Sequence, residues 1–308
     1  MVIAKESGHQ LYVRRKKRAD LEAFGPARTL LLIHGATYPA HATFDLAPDG
    51  QPSWMDDLAE AGFDVHTVDL AGYGKSGLLP AMNKPPQDGE PLLTTREAVA
   101  DIESVVDAIC DARDIDQVCL IGWSWGSTIA AVYASRHAAK VARLVLHAPQ
   151  WLRNPPPAAN GGRLGAYRQV TIADGLDRWL GAIPEAEQEH LVPVAWREAW
   201  VAMNFLHRSA ETDSLVTLAP NGVLKDSASY WASGRPLYDP STITSPTLVI
   251  VGEWDRDTPL SMSTAVFEQL TEATEKRLVC VGRGTHMLML ERNRSQLFDE
   301  ARLFLLQA

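Results

Sequence analysis

The sequence predicts an α/β protein with a mostly parallel, twisted sheet flanked by helices and interrupted by an inserted helical segment. Continuous apolar runs such as Thr29–Ile33 and Thr247–Val251 are typical of strands buried on both faces. Helical patterns alternate with these runs, as expected for a parallel sheet with right-handed crossovers. From residue 151 to about residue 239 there are helical patterns but no clear strand. We therefore expect a core formed by residues 1–150 and 240–308 and a helical cap formed by residues 151–239.

Composition sets the broad class of the protein. The chain has 308 residues, 46% of them hydrophobic and 22% charged, which is enough for one large core with an inserted subdomain. The net charge of −9 favours solubility and argues against a nucleic-acid partner. No apolar run approaches the roughly 20 residues of a membrane span, and no secretory signal is visible. Three cysteines, Cys110, Cys119 and Cys280, indicate free buried thiols in a reducing compartment. We expect a cytoplasmic monomer or homodimer.

The elements of the first 150 residues follow from periodicity and capping signals. In order, we predict an edge strand at Leu11–Val13, a basic turn at Arg14–Arg18 and strands at Thr29–Ile33 and Val65–Val68, with a helix over residues 53–62 between the two strands. A loop over residues 77–93 and a helix opened by Thr94 and Glu97 follow. The last predicted elements of this half are a strand at Gln117–Ile121, a helix over residues 127–134 and a strand at Ala142–Pro149. The helix over residues 53–62 has Ser53 as its N-cap and Gly62 at its end. We interpret the basic run as a solvated turn, because the protein as a whole is acidic.

The second half of the chain first departs from the alternating pattern and then resumes it. Helical segments are predicted near residues 174–183, 185–207 and 226–233, followed by strands at Thr247–Val251 and Arg277–Val281 and helices over residues 261–270 and 291–306. Five tryptophans fall in the expected cap, namely Trp151, Trp179, Trp196, Trp200 and Trp231. They either pack the cap against the sheet or form an apolar wall for a substrate.

One stretch of the chain has the pattern of a nucleophile elbow. Gly122-Trp123-Ser124-Trp125-Gly126 follows a predicted strand and precedes a helix rich in small residues. In that context Gly-x-Ser-x-Gly holds a serine on a tight, strained turn above the sheet. Gly122 and Gly126 leave room for strand and helix to approach closely. The N–H groups that open the helix point toward any anion that forms beside Ser124.

Two further reactive residues follow other predicted strands. Asp255 comes after the strand at Thr247–Val251, and His286 comes after the strand at Arg277–Val281. The carboxyl ends of parallel strands converge on one crevice, so we expect both residues to lie near Ser124. Serine needs an imidazole to take its proton, and the imidazole needs a carboxylate to fix its tautomer and stabilise its charge.

The elbow and four other stretches resemble the motifs of the α/β-hydrolase superfamily, and the resemblance runs through nearly the whole chain. Besides the elbow, the matching stretches are His34-Gly35-Ala36, Asp69-Leu70-Ala71-Gly72-Tyr73-Gly74-Lys75-Ser76, Gly252-Glu253-Trp254-Asp255 with Pro259, and Gly284-Thr285-His286 with Glu291. The resemblance implies the α/β-hydrolase fold, with Ser124 as nucleophile, His286 as base and Asp255 as acid. It also implies an oxyanion hole formed by the N–H groups of Trp125 and Ala36, with Thr37 as a second choice to Ala36.

The acid has two competitors nearby. Glu253 and Asp257 flank Asp255, but Asp255 holds the matching register four residues before Pro259. In some relatives the acid follows the preceding strand, where this chain has Ala148 and Pro149.

His34 and His147 are competitors of His286, and a histidine at the position of His34 usually orients the oxyanion loop.

The resemblance leaves the reaction open among several classes. A serine at the elbow disfavours the dehalogenases and epoxide hydrolases of this fold, which have an aspartate there. We expect a hydrolase of carboxylic esters or lactones that needs no cofactor or metal. Carbon–carbon bond hydrolysis and perhydrolysis by the same residues are alternatives, and a ligand-binding protein without activity is a third.

The tryptophans suggest the kind of substrate. Trp123 and Trp125 flank Ser124, and we expect Trp123, Thr37, Trp151, Trp196 and Trp200 to line the pocket. Burial of an indole face against an apolar substrate is favourable, by about 25 cal/mol per Å². The cap arginines are spread along the sequence, at Arg153, Arg163, Arg168, Arg178, Arg197 and Arg208, and we expect most to be solvated. The sequence therefore favours a small neutral ester with an apolar or aromatic group.

Overall fold

An eight-stranded sheet organises the computed structural model, which describes residues 1–4, 8–152 and 164–307. Its strands are β1 (Val2–Ala4), β2 (Gln10–Lys16), β3 (Thr29–Ile33), β4 (Asp64–Asp69), β5 (Val118–Trp123), β6 (Val141–His147), β10 (Thr247–Gly252) and β11 (Lys276–Val281). Their spatial order is β1-β2-β4-β3-β5-β6-β10-β11. The strands from β4 to β11 pair in parallel, whereas β1 and β2 pair antiparallel at one edge. The predicted fold class is confirmed.

Helices cover both faces of this sheet. They are α1 (Ala40–Phe44), α2 (Trp54–Glu60), α3 (Thr95–Arg113), α4 (Trp125–Arg136), α9 (Leu260–Gln269) and α10 (Arg294–Leu306). Alternate residues of β3 point to opposite faces, as strand geometry requires. Leu31 and Ile33 join the core under α3, α4 and α9, whereas Leu30 and Leu32 join the core under α1, α2 and α10. The fully buried run Thr29–Ile33 thus separates two apolar layers.

The N-terminal edge of the sheet differs from the prediction. We expected the strand at Leu11–Val13 to be an edge strand, but β2 lies between β1 and β4, and β1 forms the edge. The basic run at the end of β2 is also not simply solvated. Arg15 pairs with the buried carboxylate of Asp64 at 2.5 Å, and Lys16 pairs with Asp56 at 2.6 Å. These ion pairs tie the end of β2 to neighbouring elements.

Strands are present in the segment where only helices were expected. Between β6 and β10, the described residues form β7 (Tyr167–Thr171), α5 (Ile172–Leu180), α6 (Glu185–Leu191), α7 (Val194–Asn204), β8 (His207–Arg208), β9 (Leu215–Pro220) and α8 (Gly222–Ser229). The three strands form a separate antiparallel sheet in the order β7-β9-β8. They are short and partly exposed, so they lack the continuous apolar run that marks the central strands. We refer to residues 151–239 as the inserted segment.

Two smaller expectations need correction. The helix predicted over residues 185–207 is divided, because Pro193 cannot continue a helix and instead precedes α7 as its N-cap. Cys110 and Cys119 are buried as expected, but Cys280 is exposed because it lies on β11, the last strand of the sheet. No helix among the described residues is both long and apolar enough to cross a bilayer.

The close approach of α4 to the end of β3 yields a stability prediction. A Cβ atom added at Gly126 would lie 2.1 Å from the carbonyl oxygen of Ile33, which is backbone and cannot move aside cheaply. We expect Gly126→Ala to lower the free energy of unfolding by more than about 4 kcal/mol. The control is Gly25→Ala, at a site with φ −82° and no atom within 4 Å of the new methyl group, which should change it by less than about 1 kcal/mol. Urea unfolding measures both, and similar values for the two variants would contradict the prediction.

Candidate active site

Ser124 occupies the turn between β5 and α4 in a strained backbone conformation. Its φ of 56° and ψ of −122° lie where a side chain is rarely tolerated. Strand and helix are in contact on either side of it, since a Cβ at Gly122 would lie 2.3 Å from the carbonyl oxygen of Gly126. The Ser124 N–H donates to the carbonyl oxygen of His147 at 2.9 Å and fixes the turn to β6. The expected reason for both glycines of the elbow is confirmed.

The structure brings Ser124, His286 and Asp255 together in one hydrogen-bonded chain. His286 Nε2 lies 2.9 Å from Ser124 Oγ, and His286 Nδ1 lies 2.8 Å from Asp255 Oδ2. The carboxylate accepts from Nδ1–H, which leaves Nε2 free to accept from the serine hydroxyl. The three residues are 3%, 6% and 4% exposed, so bulk water has little access to the chain between them.

Backbone and side-chain donors hold Asp255 in place. Its Oδ1 accepts from the N–H groups of Asp257 and Thr258, at 2.9 and 2.8 Å. Its Oδ2 accepts from Thr258 Oγ1 at 2.8 Å in addition to His286. These donors fix the orientation of the carboxylate. Thr258 was not predicted from the sequence. Its position three residues after Asp255 is the signal that could have identified it, because a residue there can donate back to the Asp255 carboxylate and close the turn.

The two competing carboxylates lie elsewhere around the site. Glu253 Oε2 accepts from the N–H of Arg283 at 2.9 Å and does not contact the imidazole. Asp257 Oδ2 lies 3.9 Å from His286 Nε2, on the serine side of the ring, and pairs with Arg178 Nε at 2.6 Å. Asp255 is therefore the carboxylate on the Nδ1 side, where it can set the tautomer.

A loop after β3 lies directly against the elbow. A Cβ at Gly35 would be 3.2 Å from Ser124 Cβ, which shows how closely the two turns approach. His34 Nε2 accepts from the Leu70 N–H at 3.1 Å, so Nδ1 carries the proton and donates to the carbonyl oxygen of Gly35 at 2.7 Å. Burial lowers the pKa of His34, which keeps the ring neutral in this role, although Asp69 acts in the opposite sense.

The fixed carbonyl of Gly35 determines the direction of the Ala36 N–H. In a trans peptide the N–H points opposite to the C=O, so tying Gly35 to His34 turns the Ala36 amide away from that ring. Trp125 is the first residue of α4, and its N–H has no partner within the helix. Both amides belong to turns that meet at Ser124. They are the two that we expected to form an oxyanion hole.

Glu291 supports the turn that carries His286. Its carboxylate accepts from the Thr285 N–H at 3.1 Å, from the Thr285 hydroxyl and from Trp179 Nε1 at 3.2 Å. Burial raises the pKa of Glu291 to about 7 despite these donors. Trp123 Nε1 also donates to the carbonyl oxygen of His286 at 2.8 Å. The histidine turn is thus tied to the elbow on one side and to α5 on the other.

A small cavity opens at Ser124. Of the residues predicted for the site, Ser124, His286, Ala36, Thr37 and Trp123 line it. Further lining comes from Tyr38, Gly175, Arg178, Trp179, Asp257 and Met287. The cavity volume is about 20 Å³. A cavity needs roughly 10–15 Å³ to hold one water molecule, so this one has room for a single water. Across the described parts of the chain, no group of three or more His, Cys, Asp or Glu side chains could hold a metal.

Three of the tryptophans expected in the pocket do not line it. Trp200 is completely buried one layer behind the wall, with ring centroids 5.3 Å from Trp179 and 4.8 Å from Tyr38. Trp151 packs edge-on against Tyr238 at 5.2 Å. Trp196 donates to Asp49 at 2.7 Å. Their indole groups bury area between the inserted segment and the core instead.

The arginines of the inserted segment also differ from expectation. Arg178 lines the cavity, and Arg168 contacts the loop after β3, so neither is simply solvated. Arg197 donates to Val192, and Arg208 to Asp213, away from the site. Arg153 and Arg163 lie outside the described residues. Tyr38 and Met287 could have been inferred from their nearness to Ala36 and His286, but no sequence signal shows which face of α5 covers Ser124.

Comparisons with known proteins agree on the fold. A family model described as the alpha/beta hydrolase fold matches residues 28–292. A pimeloyl-[acyl-carrier protein] methyl ester esterase of Neisseria meningitidis is 25% identical over 285 residues, covering 88% of this chain and 91% of its own length. A putative non-heme haloperoxidase of Mycobacterium phage D29 is 29% identical over 42% of this chain. This chain matches only 38% of the length of that haloperoxidase and only 40% of the length of another curated relative, a poly(3-hydroxyalkanoate) polymerase subunit of Thiocystis violacea. A hydrolase from Pseudomonas aeruginosa superposes with a TM-score of 0.66 at 22% identity, covering 100% of this chain and 98% of its own.

The buried His147 beneath the elbow predicts a pH-dependent stability. Burial lowers its pKa to about 4, below the ordinary value of 6.5, so the unfolded chain binds more protons between those pH values. The free energy of unfolding should therefore fall as pH falls through this window, by about 3 kcal/mol from this group. Urea unfolding at several pH values measures it. His147→Gln should make the dependence shallower, with the buried His66 still contributing to it, whereas His190→Gln, at an exposed position on α6, should leave the slope as in wild type. Equal slopes for wild type and His147→Gln would contradict the prediction.

Proposed function

The chain belongs to the alpha/beta hydrolase fold family, and from this premise we propose that it is a serine hydrolase cleaving carboxylic esters, lactones included. The observation that carries the proposal is the continuous chain of hydrogen bonds from Asp255 through His286 to Ser124 Oγ at the wall of a cavity. Support for an ester comes from the Neisseria meningitidis relative, which is named as a methyl ester esterase.

In the proposed acylation, Ser124 Oγ attacks the carbonyl carbon of the ester while His286 Nε2 takes the hydroxyl proton. The electron pair of the carbonyl π bond moves to oxygen and gives a tetrahedral oxyanion. When this intermediate collapses, the bond to the alcohol oxygen breaks and His286 gives its proton to that oxygen. Asp255 keeps the imidazole in the reactive tautomer and stabilises the imidazolium that forms between the two transfers.

In the proposed deacylation, water takes the place of the alcohol. His286 Nε2 removes a proton from water, and the hydroxide attacks the acyl carbon on Ser124. Collapse breaks the bond to Ser124 Oγ and returns the proton to it, so the enzyme is regenerated and the free acid leaves. In both halves the Ala36 and Trp125 N–H groups stabilise the oxyanion, because their positions are set before the charge develops.

The walls of the cavity support a neutral substrate with an apolar or aromatic group. Trp123, Trp179 and Met287 supply apolar surface, and Arg178, the one arginine among the described lining residues, is paired with Asp257. That pairing compensates the charge of Arg178 where it reaches the cavity. Products from a panel of esters, lactones and vinylogous diketones, with and without peroxide, would distinguish ester hydrolysis from carbon–carbon cleavage and perhydrolysis.

We further propose that the inserted segment is a cap over the site. Gly175, Arg178 and Trp179 of α5 form one side of the cavity, opposite Ser124 and His286 of the core. The cavity is small and α5 forms one of its sides, so we propose that α5 shifts when substrate enters. The ion pair between Arg178 and Asp257 joins the inserted segment to the core, and it lies where α5 would move.

The nucleophile assignment is tested by substitution and labelling. Ser124→Ala should lower kcat on short p-nitrophenyl esters by at least ~10³-fold, because the remaining groups supply no nucleophile. It should also abolish covalent labelling by a fluorophosphonate. The control is Ser135→Ala, on the same helix, where the hydroxyl donates only to the Val132 carbonyl oxygen at 2.8 Å. Loss of less than ~10²-fold in Ser124→Ala would sink the assignment.

A matched pair of carboxylates tests the acid. Asp255→Asn replaces the acceptor on the Nδ1 side of His286 and should lower kcat by roughly 10⁴-fold, because the imidazole then adopts the wrong tautomer. Asp257→Asn leaves that acceptor in place and should lower kcat by less than about tenfold. Steady-state kinetics at pH 8 measures both. A larger loss in Asp257→Asn than in Asp255→Asn would reverse the two roles.

A further inference from the structure

We propose that Arg168, which belongs to the inserted segment, is a positioning residue that holds the loop after β3 at Ala36 and Thr37. The inference rests on the proposed function, since it assigns a role in the same reaction to a residue outside the cavity wall. Arg168 lies on β7, and its guanidinium reaches the loop that follows β3. Neither the motifs nor the cavity lining points to it.

The two ends of the guanidinium bind two different parts of the chain. Nη2 donates to the carbonyl oxygen of Ala36 at 2.6 Å and to Thr37 Oγ1 at 3.1 Å. Nη1 donates to the carbonyl oxygen of Pro220 at 2.8 Å and to Asn221 Oδ1 at 3.3 Å. Because a guanidinium is planar and rigid, the contacts at Pro220 and Asn221 aim Nη2 at the loop.

Those contacts are themselves well anchored. Asn221 is buried, and it donates to the carbonyl oxygen of Gly165 at 3.0 Å. Pro220 ends β9, which pairs with β7 so that Arg168 lies opposite Ala219. The guanidinium thus projects from a hydrogen-bonded ladder on one side to a loop beside Ser124 on the other. The small sheet missed by the sequence analysis is the scaffold for this contact.

The contact acts on the peptide next to the proposed oxyanion donor. The Gly35 carbonyl is fixed by His34, and the Ala36 carbonyl is fixed by Arg168 and by Tyr73 Oη at 2.8 Å. Two successive peptide planes are then held, and with them the directions of the Ala36 and Thr37 N–H groups. An arginine contact also polarises the Ala36 carbonyl, which strengthens the Thr37 N–H on the same peptide as a donor.

The charge of Arg168 is consistent with this role. All four of its acceptors are neutral oxygens, and no carboxylate in the described ranges forms an ion pair with it. Burial lowers the pKa of the guanidinium, which remains a cation at neutral pH. A cation without a counter-ion near Ala36 favours the anion that the proposed reaction forms there, because no neighbouring carboxylate offsets its field.

Substitution separates positioning from folding. Tyr73 still holds the Ala36 carbonyl when Arg168 is removed, so Arg168→Met should keep the loop in place but loosen its orientation. We expect kcat on a short p-nitrophenyl ester to fall ~10–100-fold with KM within about threefold, less than the cost of deleting a donor outright. Arg168→Lys, which keeps the charge but not the two-ended contact, should be intermediate.

A matched control and a second readout make the outcome decisive. Arg197→Met removes an arginine of the same segment that donates to the Val192 carbonyl oxygen at 2.7 Å, and it should behave like wild type. Hydrogen–deuterium exchange of the peptide spanning residues 33–38 should speed up in Arg168→Met and not in Arg197→Met. This readout needs no turnover, so it decides the role of Arg168 even if the proposed function fails. Unchanged exchange, or a kcat within twofold of wild type in Arg168→Met, would overturn the inference.

Discussion

The contact between α4 and the end of β3 is the constraint on which the site depends. No side-chain atom fits between Gly126 and the carbonyl oxygens of Ile33 and His34, which lie 2.1 and 2.6 Å from the position of a Cβ. Strand β5 must therefore turn into α4 within one residue, and that residue, Ser124, takes a positive φ. The same contact places the loop after β3 beside the serine. The proposed nucleophile and both proposed oxyanion amides are thus brought together by one backbone approach.

Hydrogen bonds to buried backbone groups convert this approach into fixed geometry. The Ser124 N–H is bound to β6, the His286 carbonyl to Trp123, and the Gly35 carbonyl to His34. A buried polar group left unpaired costs ≈ 1–3 kcal/mol, so each bond penalises rotation of the turn that it holds. The strain at Ser124 persists because its surroundings determine it from several sides. Such preorganisation is what transition-state stabilisation in a dry site requires.

What could be predicted from the sequence is what depends on local pattern. The strand at Thr29–Ile33 is buried on both faces, so its composition alone marks it, and the glycines of the elbow have one steric reason to be there. Trp151, Trp196 and Trp200 serve in packing. Tryptophans that line a pocket would give the same sequence pattern, so only the fold distinguishes packing from pocket lining. Arg168 reaches Ala36 across 132 positions of sequence, and no local pattern encodes such a contact. Two strands of the inserted segment, β7 and β8, lack the apolar run of the central strands because they are only partly buried, so no local pattern marks them.

A crystal structure of the wild-type protein after reaction with a small alkyl phosphonate most directly tests the claim that these turns form one preorganised site. A tetrahedral phosphonate on serine mimics the charge and shape of the proposed intermediate. We expect phosphorus bonded to Ser124 Oγ, with the phosphonyl oxygen within about 3.1 Å of the Ala36 and Trp125 nitrogens. We also expect the loop after β3 and His34 to keep their positions. A phosphonyl oxygen turned away from both amides, or a phosphonate bound to another residue, would contradict it.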